Sequence, residues 1–83
     1  MVNDVLAYKM TNETGSALEY EYYPEGNQKD KGIVSVSKKD GSISIVKLSP
    51  SDEAKIYAMK LFKRLRQFQA IEEYEKQGTV SWY

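Results

Sequence analysis

The sequence predicts one small α+β domain, a four-stranded antiparallel β-meander packed against one long or bent C-terminal helix. The first half of the chain alternates apolar and polar residues with a period of two, which is typical of strands with one buried face. Residues 50–68 instead carry apolar side chains at helical spacing. Short segments rich in turn residues separate the alternating runs, so consecutive strands are expected to be neighbours.

The first two predicted strands cover residues 5–10 and 17–23. In the second strand Leu18, Tyr20 and Tyr22 share one face, and glutamates occupy the other. Asparagine and glycine lie between the two strands and can adopt positive φ, which favours a turn there. The three apolar side chains are therefore assigned to the core.

The next two predicted strands cover residues 33–38 and 42–48. Between them Asp40 and Gly41 predict a hairpin with a type I′ turn, because both central positions of that turn need positive φ. The alternation of the fourth strand breaks near Val46, so a bulge or the end of the strand is expected there.

The helix is expected to begin at Pro50, which suits the first helical position. Ser49 is placed to cap it, and Asp52 is placed as a capping-box carboxylate. The apolar stripe that should cover the sheet consists of Ala54, Tyr57, Ala58, Leu61, Phe62, Leu65 and Phe68.

The stripe fails after Phe68, and a helix continuing to residue 77 would be much longer than the strands beneath it. We therefore expect a bend near Phe68, or a second short helix that ends at Gly78. Residues 79–83 are β-prone and are expected to return to an edge of the sheet as a short fifth strand. Beside the first strand it would be antiparallel.

Composition limits the classes of function. The 83 residues make a single domain, 1–83, with 12 basic and 12 acidic side chains and no formal net charge. A balanced charge gives no overall attraction to nucleic acid or to an anionic membrane. The chain has no cysteine and no long apolar run, so a cytoplasmic location is the default expectation.

Catalytic chemistry is not indicated. The chain has neither histidine nor cysteine, which excludes Ser-His-Asp and Cys-His arrangements and His-bearing zinc sites. None of its five glycines forms a phosphate-binding motif. We expect a protein that is not an enzyme, with no catalytic residues, no metal site and no cofactor.

Uncommitted apolar and aromatic side chains favour a protein-contact surface, and with it a small non-catalytic interaction module able to bind another protein or a second copy of itself. A competing interpretation is that the C-terminal aromatic residues simply close the end of the core. The candidate contact residues are Ile56, Met59, Tyr74, Trp82, Tyr83 and Tyr23.

Two alternatives remain open. The first is nucleic-acid binding through a basic helix segment, although we favour a solvated outer helix face as the explanation of that segment, because the overall charge is zero. Its candidate residues are Lys60, Lys63, Arg64 and Arg66. The second alternative is a small-ligand binder with a pocket between sheet and helix.

Two runs carry a resemblance to a known group: Tyr20-Glu21-Tyr22-Tyr23-Pro24-Glu25-Gly26 and Gly32-Ile33-Val34-Ser35-Val36. Together with Asp52, Tyr57-Ala58 and the ending Gly78-Thr79-Val80-Ser81-Trp82-Tyr83, they resemble small uncharacterised proteins of Gram-positive bacteria and their mobile elements. The resemblance covers most of the chain after residue 18. It implies no activity, ligand or partner.

Overall fold

The structure is a computed structural model that describes residues 4–25, 28–50, 52 and 55–82, with the backbone alone at residues 4, 28, 81 and 82. Its elements in chain order are β1 (Asp4–Glu13), β2 (Ala17–Pro24), a short 3₁₀ turn (Gln28–Asp30), β3 (Gly32–Ser37), β4 (Ile43–Lys47), α1 (Ile56–Ile71) and β5 (Gln77–Trp82).

The five strands form one sheet in the order β4-β3-β2-β1-β5, and every neighbouring pair is antiparallel. The predicted four-stranded meander is confirmed. The predicted fifth strand is confirmed too, because β5 pairs with β1 and places Gly78 opposite Tyr8.

The β3–β4 hairpin forms, but its turn is not type I′. Gly41 has φ of 74°, while Asp40 is not among the residues with positive φ. The amide of Gly41 donates to the carbonyl of Ser37 at 2.9 Å, which closes a wider loop than a two-residue turn. The bulge expected near Val46 is confirmed, because Ile45 and Lys47 pair with consecutive residues of β3 and leave Val46 as the extra residue.

The core lies between α1 and one face of the sheet, here called the helix face. As predicted, the core consists of alternate residues of the strands together with the apolar stripe of the helix. The buried apolar residues are Leu6, Tyr8, Leu18, Tyr20, Tyr22, Val34, Val36, Ala58, Leu61, Leu65 and Phe68. Tyr57 and Phe62 are partly buried against this cluster, and Ala54 lies outside the described residues.

The helix begins at Ile56, so the predicted start at Pro50 is wrong. Lys55 has φ of 60°, a left-handed backbone through which an α-helix cannot run. Asp52 caps α1 from a distance, since its carboxylate accepts hydrogen bonds from the amides of Tyr57 at 2.9 Å and Ala58 at 2.8 Å. The hydroxyl of Ser49 does not cap the helix and donates to the carbonyl of Asp30.

The helix continues to Ile71 and the described residues 72–82 contain no second helix, so the predicted helix end at Gly78 is wrong. The bend expected near Phe68 lies a few residues later, at Glu72. Glu72 takes a left-handed conformation with φ of 57°, and its amide donates to Gln69 at 3.2 Å. The following residue bonds the carbonyl of Phe68 at 3.0 Å, which turns the chain back towards β5. Within the described ranges, no helix is both long enough and apolar enough to span a membrane.

A substitution at Gly32 tests the close contact between this position and the ring of Tyr22. A Cβ at this position would overlap the ring of Tyr22, whereas one at Gly15 would meet no atom within 4 Å. Gly32→Ala is expected to lower the free energy of unfolding by about 1–3 kcal/mol, through overpacking of a buried ring. Gly15→Ala is the matched control and should change it by less than about 0.5 kcal/mol. Urea titrations giving equal stabilities for the two variants would contradict this packing.

Asp52 tests the helix start. Asp52→Ala removes the acceptor for two first-turn amides and should lower the free energy of unfolding by about 2 kcal/mol. Asp40→Ala is the control, because the exposed Asp40 carboxylate accepts from a single turn amide, that of Ser42 at 3.0 Å. Its loss should stay below about 1 kcal/mol in the same urea titration. Equal losses would mean that Asp52 does not cap α1.

Candidate functional site

The face of the sheet opposite α1, here called the outer face, has no helix over it among the described elements. Strand alternation places small, aromatic and charged side chains on it. Tyr23 stands near its centre, directly opposite Ala7 on the neighbouring strand. Tyr23 and Ala7 are both half-buried, so the surface around them is a shallow depression rather than a closed pocket.

A depression of about 470 Å³ lies on the outer face beside the Tyr23 ring. Its remaining lining comes from β1 and β5 and includes Lys9, Gln77 and Thr79. The Tyr23 hydroxyl donates to Glu21 at 2.6 Å, which holds the ring at the rim. Burial, with the Glu21 bond, raises the pKa of Tyr23 to about 12, so the phenol is neutral at physiological pH.

The Glu21 carboxylate is an anchor for Tyr23 rather than an acid or base. The Tyr23 hydroxyl lowers the pKa of Glu21, with a smaller contribution from Lys31 at 3.4 Å. A carboxylate that is held ionised beside a neutral phenol has no proton to give near pH 7, and its lowered pKa makes it a weaker base than an ordinary glutamate. The depression therefore offers shape and hydrogen bonds and no reactive pair.

A second depression, of about 420 Å³, lies between the β3–β4 loop and the end of α1. The side-chain amide of Gln69 donates to the carbonyl of Gly41 across it at 2.8 Å. Tyr74 lines the same depression and packs its ring on Phe68, with centroids 6.3 Å apart. These contacts join loop, helix and core, so we assign this place a structural role.

The β5 edge is the outermost backbone of the sheet beyond β1. Met10 donates to the carbonyl of Lys76 at 2.6 Å, so by alternation Gly78, Val80 and Trp82 exchange their hydrogen bonds with β1. The N–H and C=O groups of the intervening residues point away from the sheet. These outward residues are Gln77, Thr79 and Ser81, and none of the six residues of β5 is charged or proline.

The opposite edge, β4, differs from β5 in each of these respects. It is interrupted by the bulge at Val46, and Lys47 places a charge on it, although its five residues make it nearly as long as β5. Bulges and lysine are devices by which proteins prevent strand addition at a sheet edge. Only the β5 edge therefore lacks them.

The structure does not gather the predicted protein-contact residues into one surface. Ile56 and Met59 are 53 % and 48 % exposed on the solvent side of α1, whereas Tyr23 lies on the outer face of the sheet. Tyr74 is partly buried against the core. The side chain of Trp82 is not described, and Tyr83 lies outside the described residues.

The predicted nucleic-acid residues do not share one helix face. Lys63 and Arg66 are exposed, and Lys60 and Arg64 are partly exposed. At 100° per residue, Lys60 and Arg66 differ by 600°, which leaves them about 120° apart around the axis. The four cations therefore surround the solvent half of α1 instead of forming a stripe along a phosphate backbone.

Two exposed features lie outside the candidate contact residues. Ile71 is 66 % exposed, the largest exposed fraction among the big apolar side chains that the structure describes. The return of the C-terminal segment to a sheet edge was predicted, but the openness of that edge to a further strand was not. The uncharged alternation of residues 77–82 was its available signal.

No cluster of three or more acidic side chains suited to a metal ion occurs in the part of the chain that the structure describes. Comparison of the chain with known protein families, curated proteins and solved structures found no match in any of the three. The functional interpretation therefore depends on the geometry alone.

Tyr8 is a buried phenol whose proton is linked to stability. Its hydroxyl donates to the Glu75 carboxylate at 3.1 Å, and burial followed by that bond raises the pKa of Tyr8 to about 12. An unfolded tyrosine titrates near 10, so the folded state holds more protons between these values. The resulting stability is complete below pH 10 and is lost as the pH rises towards 12.

Tyr8→Phe should make this alkaline loss shallower by about one proton, because the variant has no phenol to titrate at this position. The measurement is the free energy of unfolding from urea titrations at intervals between pH 9 and pH 12. An unchanged slope would show that the Tyr8 hydroxyl is not held as described.

Proposed function

We propose that this chain is a small non-catalytic protein-interaction module, which binds an extended segment of a partner as an additional strand on the β5 edge. The observation that carries the proposal is the contrast between the two edges. The β4 edge has a bulge and a lysine, while β5 offers outward backbone groups at Gln77, Thr79 and Ser81.

Strand addition fits the chemistry of this edge. The main-chain bonds of an added strand supply affinity, and the side chains beside the edge supply specificity. The outer-face depression lies within one strand spacing, about 4.8 Å, of an added strand, because Gln77 and Thr79 form its rim. Tyr23 and Ala7 supply its far wall and floor, surfaces suited to an apolar or small side chain.

Charge also favours this mode over nucleic-acid binding. The chain has no formal net charge, and β5 has no charged residue. The cations of α1 lie on the helix and are dispersed around it. The cytoplasmic location and the bacterial origin expected from the sequence stay predictions within this proposal.

The test uses ¹⁵N-labelled protein, diluted until it sediments as single chains so that the β5 edge is unoccupied, and a synthetic seven-residue peptide of alternating threonine and valine with blocked ends. Added peptide should slow hydrogen exchange at the outward amides of β5 by about tenfold or more, since they gain acceptors. The inward amides of Gly78 and Val80 are bonded to β1 already and should change little.

Thr79→Pro removes one outward N–H and leaves the β1 ladder intact, a position where a strand tolerates proline. This variant should bind the peptide more weakly, by a factor of about ten, whereas the control Thr79→Val keeps the N–H and should bind like the wild type. Exchange rates at the outward amides that do not change when the peptide is added would contradict strand addition. Equal binding of the peptide by the wild type, Thr79→Pro and Thr79→Val would contradict it too.

A further inference from the structure

We infer that the strand which the β5 edge accepts is β5 of a second copy, so that two chains join into one two-fold symmetric antiparallel sheet. This inference rests on the proposed function, because it names the partner of the same edge. Pairing of the two β5 strands would join two five-stranded sheets into one sheet of ten strands, with both α1 helices on the same side.

The register of this pairing follows from which backbone groups point outward. Only Gln77, Thr79 and Ser81 present them on β5. A two-fold axis beside Thr79 sets Thr79 against its own copy and Gln77 against Ser81 of the second copy. This register uses all three outward residues, whereas an axis at Gly78 or Val80 leaves one of them unpaired. The Thr79 register is therefore the most stable.

The side chains of β5 suit this register. Threonine opposite threonine is a favourable cross-strand pair, and no charge faces a like charge anywhere along the strand. On the helix face, Val80 meets Gly78 of the second copy. The partly buried Val80 side chain thus faces a residue that has no side chain of its own and that is covered by the Tyr8 ring of its own chain.

One flank of α1 faces the β5 edge, and it lies on the opposite side of the helix from Gln69, whose position is known from a hydrogen bond. Gln69 bonds the β3–β4 loop, on the far side of the sheet from β5. Lys60 precedes Gln69 by nine residues, or two and a half turns, so it lies on the flank towards β5. Arg64 and Ile71 follow Lys60 by four and eleven residues and share that flank.

Charge complementarity across the two-fold axis points to a second copy as the occupant. The β5 flank is basic along α1, at Lys60 and Arg64, and acidic just beyond the end of the helix at Glu75, whose carboxylate lies beside Tyr8 and Gly78. The axis makes the two helices antiparallel, so the basic half of each faces the acidic end of the other. Such an arrangement attracts at both ends of the interface.

The spacing of the helices agrees with this arrangement. The helix packs across β1, with β2 and β5 beside it. Two copies of β1 would lie three strand spacings apart, about 14 Å, which long side chains from both flanks can span. Ile71, which is 66 % exposed in the single chain, projects into that gap. The pairing therefore accounts for the most exposed apolar side chain described.

The test is sedimentation equilibrium of the wild type, Thr79→Lys and Thr79→Glu over a range of concentrations. The wild type should approach twice the mass of one chain. Each charged variant should weaken self-association by about tenfold, because the register sets two like charges opposite each other. A mixture of the two variants should recover the wild-type affinity as a mixed dimer, seen by native mass spectrometry.

Ser44→Lys is the matched control, since it places a lysine on the same face of the β4 strand and should leave the association unchanged. Circular dichroism checks that every variant is folded. A wild type that stays monomeric, a dimer insensitive to the charges at Thr79, or a mixture that fails to associate would each overturn the inference. A wild type that stays monomeric but binds the threonine–valine peptide would overturn this inference and leave the proposed function standing. A wild type that neither associates with itself nor binds the peptide would overturn both.

Discussion

The connections at both ends of α1 depend on hydrogen bonds to three buried tyrosine hydroxyls, those of Tyr8, Tyr20 and Tyr22. Tyr22 donates to Asp52 at 3.3 Å and accepts from the amide of Ser49, at the point where the chain enters α1. Tyr8 and Tyr20 donate to the side chain and the backbone of Glu75, where the chain leaves α1 for β5. Leaving any of these hydroxyls unpaired in the core would cost about 1–3 kcal/mol. The tyrosines of the sheet thus determine where the helix is connected at both of its ends, as well as what it covers.

The sheet could be predicted because its signals are local. Alternation at Leu18, Tyr20 and Tyr22 identified the buried face directly, and the broken alternation near Val46 identified the bulge. The helix ends could not be predicted, because they depend on contacts between distant residues. Asp52 reads as a first-turn residue in the sequence, yet it caps α1 from outside the helix and bonds Tyr22, thirty positions away. The left-handed backbone of Lys55 and Glu72 has no sequence signal, since both residues normally favour helix.

The candidate site was predicted only in part. Tyr23 was identified as an uncommitted aromatic residue, and the structure places it beside a depression on the outer face. Thr79 and Ile71 were not among the candidate contact residues for a physical reason: which edge of the sheet stays open to a further strand, and which flank of the helix overhangs it, are properties of the assembled sheet. Conversely, Ile56 and Met59 were correctly expected to be exposed, but they face solvent at a distance from that depression and do not complete it.

The difference between the two edges has a consequence for stoichiometry. A sheet with two receptive edges can add chains without limit and lengthen into a fibre, whereas an edge that pairs with itself is consumed in a closed dimer. Here the Val46 bulge and Lys47 would lie at both outer margins of the joined sheet, where a further chain finds no receptive backbone. Growth would therefore stop at two copies, and a chain this small would remain dispersed at high concentration instead of polymerising.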